Sequence, residues 1–411
     1  MKKLEVRFTR TIGDESVVGF LAEARNRVYF EYAPEFLATG LNLSPFRLPF
    51  ATGLFEHTDF RFGPLPGLFD DSLPDGWGLL LMDRHFRASG MNPDSFSALD
   101  RLAWLGTRTM GALTYHPSAL QPEVAPETFD LHRLARHAED VLHGETVEVL
   151  PQLLRAGGSP GGARPKVLVG FDPARDQIIA GDNDQLPAGF EPWIIKFAAR
   201  YGDTDAGAIE YAYSLMAAAA GIDLPPTRLF VTREGDRFFG CLRFDRHLNR
   251  RFHVHTFGNL IQANFRIPSV DYRDLLKATS LLTRDHRQVA QAFRRMVFNV
   301  LAHNRDDHVK NFAFIMDDTS AEWQLTPAYD LVFAAGAGGE HTMTLAGEGR
   351  NPGREQMRKL ADEAGLDEKE AADIREQVRE AVAGWHAHAD RAGVSRAGRE
   401  RIAAALGFAQ S

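Results

Sequence analysis

Nine consecutive residues, HNRDDHVKN at 303–311, combine most of the side-chain types that acid–base and metal chemistry use. The segment contains two histidines, an arginine, two aspartates, a lysine and an asparagine. It follows a segment with an apolar stripe and precedes the apolar stretch FAFIM. So many ionisable groups between two elements with buried faces indicate a functional site, and phosphotransfer and metal chemistry are the two candidates.

The spacing of Asp306 and Asn311 favours phosphotransfer. In protein kinases an aspartate accepts the proton of the substrate hydroxyl, and an asparagine five positions later helps to hold Mg²⁺. The apolar stripe at 289–301 predicts a helix that anchors this loop, and residues 312–326 predict a β-hairpin behind it. The hairpin would deliver Asp330, where a kinase has its principal Mg²⁺ ligand. In the simpler interpretation these aspartates only cap a loop and a helix.

A metal-dependent hydrolase would use the same segment differently. Its candidate ligands for a divalent ion are His303, Asp306, Asp307 and His308. Further ligands would have to come from neighbouring elements, with His253 and His255 on one face of a short predicted strand as candidates. This interpretation leaves a glycine-rich segment upstream without a role.

That upstream segment, GGSPGGARPK at 157–166, leads directly into the predicted strand KVLVGF. Flexible backbone N–H groups of this kind bind phosphates, and kinases add a lysine from a following strand. Lys196 in WIIKFA has this position, and Glu210 is its candidate ion-pair partner, with Asp203 or Asp205 as alternatives. If the strand lay at a sheet edge, Lys196 would instead point to solvent.

Composition indicates a globular cytoplasmic protein. The chain has 411 residues, 44% of them hydrophobic and 25% charged, a net charge of −8 and a single cysteine, Cys241. One cysteine excludes an internal disulfide and fits a reducing compartment. No apolar run reaches the roughly 18 residues of a membrane span, and we expect neither a signal peptide nor membrane contact. The acidic balance favours an indirect role on DNA, through a partner.

The order of predicted elements divides the chain into four parts. These are an α+β module at 1–117, a linker and helix at 118–150, a strand-rich lobe at 151–245 and a mostly helical lobe at 246–411.

Together these motifs resemble the HipA family of serine/threonine kinases, the toxins of bacterial type II toxin–antitoxin modules. The resemblance extends over nearly the whole chain and is specific, because most kinases do not share this ordered set. Besides the motifs above it rests on FEYAPEFLATGLNLSPFRLP, LPDGWG, RFDR at 243–246, TPAYDL and GEHTMTLAGEGRNP at 339–352. It implies an α+β, bilobal protein-kinase-like fold with an additional small N-terminal module.

The resemblance also implies residue roles. Asp306 would be the catalytic base, Asn311 and Asp330 the Mg²⁺ ligands and Lys196 the lysine at the ATP phosphates. The backbone near Arg243 and Phe244 would form the adenine-binding hinge. The remaining implied nucleotide-binding positions are Ser159, Gly161, Gly162, Ala163, Lys166, His308 and Lys310.

Ser159 falls at the position where the family autophosphorylates. In the family, a phosphate there ejects the glycine-rich loop and switches the kinase off. A phosphate adds about −1.5 to −2 charges at neutral pH. In a pocket built for nucleotide phosphates, this charge would repel them and compete for the same donors.

Two departures from the family pattern concern the nucleotide site. Relatives often have Gln-Glu before the loop lysine, whereas this chain has Arg164-Pro165-Lys166, which predicts a stiffer loop. They also often have Glu before RFDR, whereas this chain has Leu242 and would lack a side-chain contact to adenine there. In LPDGWG we expect Gly76 and Trp77 to shape a turn and fill a core.

The predicted function is an ATP- and Mg²⁺-dependent serine/threonine protein kinase that inhibits growth. The family precedent makes an aminoacyl-tRNA synthetase a reasonable protein target. A helix-turn-helix antitoxin would bind the N-terminal module, and DNA would be contacted only through that antitoxin. The alternatives are a small-molecule or lipid kinase and a non-catalytic corepressor component.

Overall fold

The computed structural model describes residues 2–118, 129–146, 149–157, 162–181, 185–198 and 203–407. Ser159, Gly161 and most of the predicted linker lie outside these residues. No helix within the described ranges combines the length and the apolar character that crossing a bilayer requires.

The N-terminal module is built on an antiparallel sheet. Alternating apolar residues bury one face of its first strand through Leu4, Val6 and Phe8. The sheet order is β4-β3-β2-β1-β5. The elements are β1 Lys2–Thr11, β2 Asp14–Ala24, β3 Arg27–Tyr32, α1 Pro34–Leu37, β4 Leu54–Glu56, α2 Gly67–Asp70, α3 Gly76–Ala88, α4 Ala98–Leu105 and β5 Leu113–His116.

The strand-rich lobe follows. Its described strands form an antiparallel sheet in the order β7-β6-β8-β10-β9. The elements are α5 Leu131–His143, α6 Pro151–Gly157, β6 Lys166–Asp172, β7 Gln177–Ala180, β8 Glu191–Lys196, α7 Ala206–Ala219, β9 Thr227–Val231 and β10 Arg237–Leu242. Because β8 is the central strand and Lys196 is only 7% exposed, the edge-strand alternative for this lysine is wrong.

The remaining part of the chain is mostly helical. The predicted hairpin is confirmed as β14–β15, and β13 pairs with β14 to complete a small sheet. The elements are β11 Arg246–His247, β12 Arg250–Arg251, β13 His253–Thr256, α8 Phe257–Ile261, α9 Tyr272–Thr283, α10 His286–Leu301, β14 Ala313–Asp317, β15 Glu322–Leu325, α11 Arg354–Glu363, α12 Glu368–Ala383, α13 Trp385–Arg391 and α14 Arg396–Ala405.

Two apolar cores position the site. One runs continuously from the N-terminal sheet through α7 into the helices of the C-terminal part. The other joins the strand-rich sheet to α5, α6 and the N-terminal module's own helix α3, through Trp77 and Leu81. The N-terminal module is therefore packed against both other parts of the molecule.

The RFDR segment adds a buried ionic connection between the module and β10. Asp245 accepts hydrogen bonds from Arg243, from Arg246 and from the Gly111 N–H at 2.9 Å. Arg246 in turn donates to the carbonyls of Gly111 and Thr109 at 2.9 and 3.0 Å. Burial opposes ionisation of Asp245, but the two guanidinium groups outweigh it and lower its pKa well below the usual range.

Candidate active site

Lys196 ends the central strand inside the molecule, where two carboxylates face its ammonium group. Its Nζ donates to Glu210 Oε1 at 2.6 Å and to the carboxylate of Asp330. Burial disfavours the ammonium, but Asp330 and Glu210 outweigh it and raise the pKa of Lys196. The predicted Lys196–Glu210 pair is therefore present, and the alternative partner Asp205 pairs with Arg237 instead.

Glu210 also binds Arg164, the residue that departs from the family pattern. The Arg164 guanidinium contacts the second carboxylate oxygen of Glu210, and its Nε donates to the Phe197 carbonyl at 2.6 Å. The end of the glycine-rich loop is thereby tied to both α7 and the end of β8. These ties give a physical basis for the predicted stiffness of the loop.

Lys166 supplies a second cation beside Lys196. The two lysines are direct neighbours on the adjacent strands β6 and β8. Burial lowers the pKa of Lys166, and Asp330 acts in the opposite direction. Burial alone would raise the pKa of Asp330, but Lys196 and then Lys166 lower it well below its usual range, so this carboxylate is ionised at neutral pH. Two neighbouring ammonium groups are suited to a polyanion such as a triphosphate.

The segment that follows α10 is held in a fixed loop. His303 takes a left-handed backbone conformation with φ +50°, which is uncommon for a residue with a side chain. The Ala334 N–H then donates to the His303 carbonyl at 3.0 Å, and the Arg305 N–H donates to the Ala334 carbonyl at 3.2 Å. The loop is closed by Asn311, whose Nδ2 donates to the Asp306 carbonyl at 2.7 Å.

Asp306 lies within the electrostatic field of the other site residues. Burial raises the pKa of Asp306, His308 lowers it, and the carboxylates of Asp330 and Asp307 raise it further. Lys196 contacts Asp330, Asp330 acts on Asp306, and Asn311 is bonded to the backbone of Asp306. Residues from three separate segments of the sequence are thus connected in one place.

Asp307 serves the structure of the loop. It is 0% exposed, and its Oδ2 accepts hydrogen bonds from the Tyr272 hydroxyl at 2.7 Å and from His341 Nδ1 at 2.8 Å. Its Oδ1 accepts from the Thr342 N–H at 2.8 Å. With its lone pairs used in this way, Asp307 is unsuited to bind a metal ion.

The two strand histidines contact the N-terminal module. His253 Nε2 donates to the Leu43 carbonyl at 2.8 Å, and His255 Nδ1 lies 2.5 Å from Asp71 Oδ2. Within the described ranges, the group of acidic and histidine side chains close enough to share a metal ion is His132, Glu234 and Asp236, outside this site. The metal-hydrolase interpretation therefore has no support in the geometry.

The N-terminal module holds the described end of the glycine-rich loop, a contact that the sequence did not reveal. Asp75 accepts a hydrogen bond from the Gly162 N–H, and the Trp77 N–H donates to the Gly162 carbonyl at 3.0 Å. Trp77 Nε1 also donates to the Lys166 carbonyl at 3.1 Å. A Cβ on Gly76 would lie 2.6 Å from the Cα of Ala163, so this approach requires glycine. LPDGWG thus fills a core, as predicted, and also touches the loop.

The N-terminal module also contacts Lys310, which lies in the loop at 303–311. Lys310 Nζ lies 3.2 Å from Asp70 and 3.9 Å from Asp75. Burial opposes the charge of Lys310, but Asp70 and its neighbours Asp71 and Asp75 raise its pKa. Asp75 therefore connects the described end of the glycine-rich loop to the loop at 303–311. His308, the other implied binding residue here, packs against Phe265 with ring centroids 5.5 Å apart.

At the predicted hinge, both the side chain and the backbone N–H of Arg243 are bonded within the protein. Its guanidinium is paired with Asp245, and its backbone N–H donates to the Pro192 carbonyl at 2.8 Å. Phe244 packs on Tyr329, with ring centroids 5.7 Å apart, next to Asp330. An adenine contact through the Arg243 N–H is thus blocked, which leaves carbonyl groups and Phe244.

The donors and acceptors of the site fit a Mg²⁺–triphosphate group. The carboxylate of Asp330 and the amide oxygen of Asn311 are hard oxygen ligands of the kind that Mg²⁺ prefers. Asn311 donates through its nitrogen to Asp306, so its oxygen remains for a cation. Lys166 and Lys196 are the neighbouring lysines of the same site.

Comparison with known proteins identifies both parts of the chain. The sequence model described as HipA N-terminal domain matches residues 11–116, and the one described as HipA-like C-terminal domain matches residues 158–385. No curated protein shows significant sequence similarity to the chain.

Among solved structures, HipA of Shewanella oneidensis MR-1, from a complex with HipB and operator DNA, shares the fold. It has a TM-score of 0.72 and 17% identity, with 98% of this chain and 95% of that chain covered. The proinflammatory kinase CtkA of Helicobacter pylori matches at a TM-score of 0.33 and 14% identity, over 49% of this chain and 90% of that chain, too weakly to establish a shared fold. The predicted α+β, bilobal fold is confirmed. Because the C-terminal-domain match alone spans more than half of the chain, this protein belongs to the HipA family.

Proposed function

We propose that this chain is an ATP- and Mg²⁺-dependent serine/threonine kinase that phosphorylates a protein and thereby inhibits growth. The observation that carries the proposal is the contact of Lys196 with both Glu210 and Asp330. Protein kinases need a strand lysine paired with a helix glutamate, and a Mg²⁺-binding aspartate, at one place. Asp306 and Asn311 complete that set in the adjoining loop.

Asp306 is the residue that we assign as proton acceptor. Its position in a loop fixed at both ends would orient its carboxylate toward a substrate hydroxyl, and burial raises its pKa from the usual value. A more basic carboxylate accepts a proton more readily, provided that it is still ionised at the working pH.

Lys196 and Lys166 would hold the phosphates, and Glu210 would keep Lys196 in place. Asp330 and Asn311 would hold Mg²⁺, which supplies positive charge to the phosphoryl oxygens when bound. Phosphotransfer of this kind depends mainly on positioning and electrostatics, and the hydrogen-bonded loop at 303–311 contributes to the positioning.

The partner we propose is a helix-turn-helix antitoxin that binds the N-terminal module. The related Shewanella HipA was solved with HipB and operator DNA, and this chain shares its fold along nearly its full length. Its net charge of −8 favours contact with DNA through that antitoxin over direct contact. Autophosphorylation of Ser159 as an off-switch, and action in the cytoplasm, remain part of this proposal.

The test is transfer of radiolabelled phosphate from ATP in a whole-cell lysate to which the purified protein is added. We expect Mg²⁺-dependent label on a protein band. Label confined to small metabolites would favour the small-molecule kinase instead. An absence of both label and ATP binding would favour a non-catalytic corepressor component.

A further inference from the structure

A cavity of about 320 Å³ opens beside His303 and Arg305, where the catalytic loop begins. Its apolar lining includes Leu301 of α10, Val382 of α12 and Leu406, which directly follows α14. Its polar lining includes Arg305, Arg350, Arg379, His303 and His341. Among the described residues that line it there is no carboxylate, although the whole chain has a net charge of −8.

The charged groups of the lining are Arg305, Arg350 and Arg379. His303 adds no charge at neutral pH, because burial and then Arg305 and His341 lower its pKa. The Arg305 Nη1 donates to the Ala335 carbonyl at 3.3 Å, while its Nε is buried and has no hydrogen-bond partner among the described residues. Buried donors usually have a hydrogen-bond acceptor, and we expect one for the Arg305 Nε–H as well.

The two outer arginines can exchange their present partners at low cost. Arg350 lies 2.9 Å from Glu340, with both side chains more than half exposed, at 62% and 51%. Arg379 contacts Glu376 one turn earlier on α12, with exposures of 59% and 55%. Ion pairs this exposed contribute little to stability, so an incoming anion can displace either glutamate.

We propose that this cavity binds a phosphate monoester. Guanidinium groups match phosphate oxygens in pairs, and Arg350 and Arg379 would bind the phosphate. The apolar lining residues Leu301, Val382 and Leu406 would bind the organic part of the ligand. A volume near 320 Å³ lies at the lower end of the range for small-molecule pockets and exceeds what a phosphate ion alone would fill.

The site gives a role to GEHTMTLAGEGRNP at 339–352, which supplies His341, Arg350 and Asn351 to the cavity. The phosphate monoester can come from a free small molecule or from a phosphorylated side chain of another protein. Both present the same chemistry to the cavity. The proposal concerns binding alone and does not depend on whether this chain transfers phosphate.

Calorimetric titration without nucleotide tests the site, with phenyl phosphate, inorganic phosphate and phenol as probes. The test protein is the double variant Arg350→Gln/Arg379→Gln. The matched control is Arg136→Gln/Arg287→Gln, which removes the same charge from two exposed arginines that pair with Glu139 and Asp285 elsewhere on the surface.

We expect phenyl phosphate to bind more tightly than inorganic phosphate, and phenol not to bind. The double variant should bind phenyl phosphate at least tenfold more weakly, while the control binds as the wild type does. Undiminished binding to the double variant, or an equal loss for the control, would overturn the proposal. A short phosphotyrosine peptide separates the two sources: its binding assigns the site to a phosphorylated protein, and its exclusion to a free small molecule.

Discussion

At Lys196 two large electrostatic effects oppose each other. Burial favours the neutral amine, and two carboxylates favour the ammonium. Glu210 is 2% exposed and the Asp330 side chain is 34% exposed, so the lysine mainly compensates the buried charge of Glu210, together with Arg164. A residue proposed for catalysis therefore also contributes to the stability of the fold.

We predict that Lys196→Met lowers the free energy of unfolding by roughly 1.5–3 kcal/mol, because buried Glu210 keeps Arg164 but loses a charge-assisted hydrogen bond. Urea unfolding measures the difference. Lys277→Met, at an exposed position of α9, is the matched control and should change stability by less than about 0.5 kcal/mol. A loss for Lys196→Met as small as for the control would show that the carboxylates do not depend on it.

At the scale of elements, α3 of the N-terminal module holds the described end of the glycine-rich loop. Asp75 makes no side-chain capping bond to its own helix, and instead accepts from the Gly162 N–H and faces Lys310. Its carboxylate therefore serves the two loops of the site. Trp77 reinforces the same contact from the buried side.

We predict that Asp75→Ala raises the KM for ATP about tenfold, because a charge-assisted hydrogen bond to the loop is lost. Steady-state kinetics with varied ATP measures the change. Asp83→Ala removes a carboxylate from the same helix that pairs with Arg101, and it should leave the KM unchanged. Equal KM values for both variants would contradict a positioning role for Asp75.

The contact of β13 with the N-terminal module introduces a pH dependence. Burial, and then His255, lower the pKa of His253 to about 4. The folded state thus keeps this imidazole neutral at a pH where the unfolded chain, with a pKa of roughly 6.5, already binds a proton. When the unfolded state binds more protons, stability falls as the pH falls, here between the unfolded and folded pKa values.

We predict that wild type loses roughly 2–3 kcal/mol more stability between pH 7 and pH 4 than His253→Gln does. The glutamine keeps an N–H donor for the Leu43 carbonyl and does not titrate. Urea unfolding at a series of pH values provides the comparison. Parallel stability curves for the two proteins would exclude His253 as a source of the acid sensitivity.

At the scale of the whole molecule, the N-terminal module is part of the common core. The apolar cluster that contains Leu4 and Phe8 also contains residues of α7 and α10, and Asp245 is bonded to Gly111 of the module. Removing the module would expose that apolar surface and break the buried ionic connection. The module is therefore a structural part of the molecule as well as the proposed docking surface.

We predict that residues 118–411 alone do not form a soluble folded protein. The soluble fraction after expression, compared with the full chain under the same conditions, is the measurement, and circular dichroism of any soluble material is the second. A monomeric, folded 118–411 fragment would show that the two cores are less dependent on the module than their packing indicates.

The sequence predicted the features that are encoded locally. The D-x₄-N spacing, the hairpin before Asp330 and the apolar neighbours of Lys196 each lie within a few residues of one another, and Glu210 was the only charged residue of its helix. The contacts of Asp75 and Trp77 with the loop could not be predicted, because they join residues more than 80 positions apart. The hydrogen bond from the Arg243 N–H to the Pro192 carbonyl could not be predicted either, because it depends on strand register.

The most direct measurement compares phosphate transfer from labelled ATP by wild type and by Asp306→Asn, together with their ATP affinities and their effect on growth. Loss of a general base typically costs about 10²–10⁴ in rate. We expect Asp306→Asn to bind ATP, to lose transfer to that extent and to stop inhibiting growth, while Asp362→Asn, at an exposed position of α11, behaves as wild type. Undiminished transfer or growth arrest by Asp306→Asn would contradict the kinase mechanism.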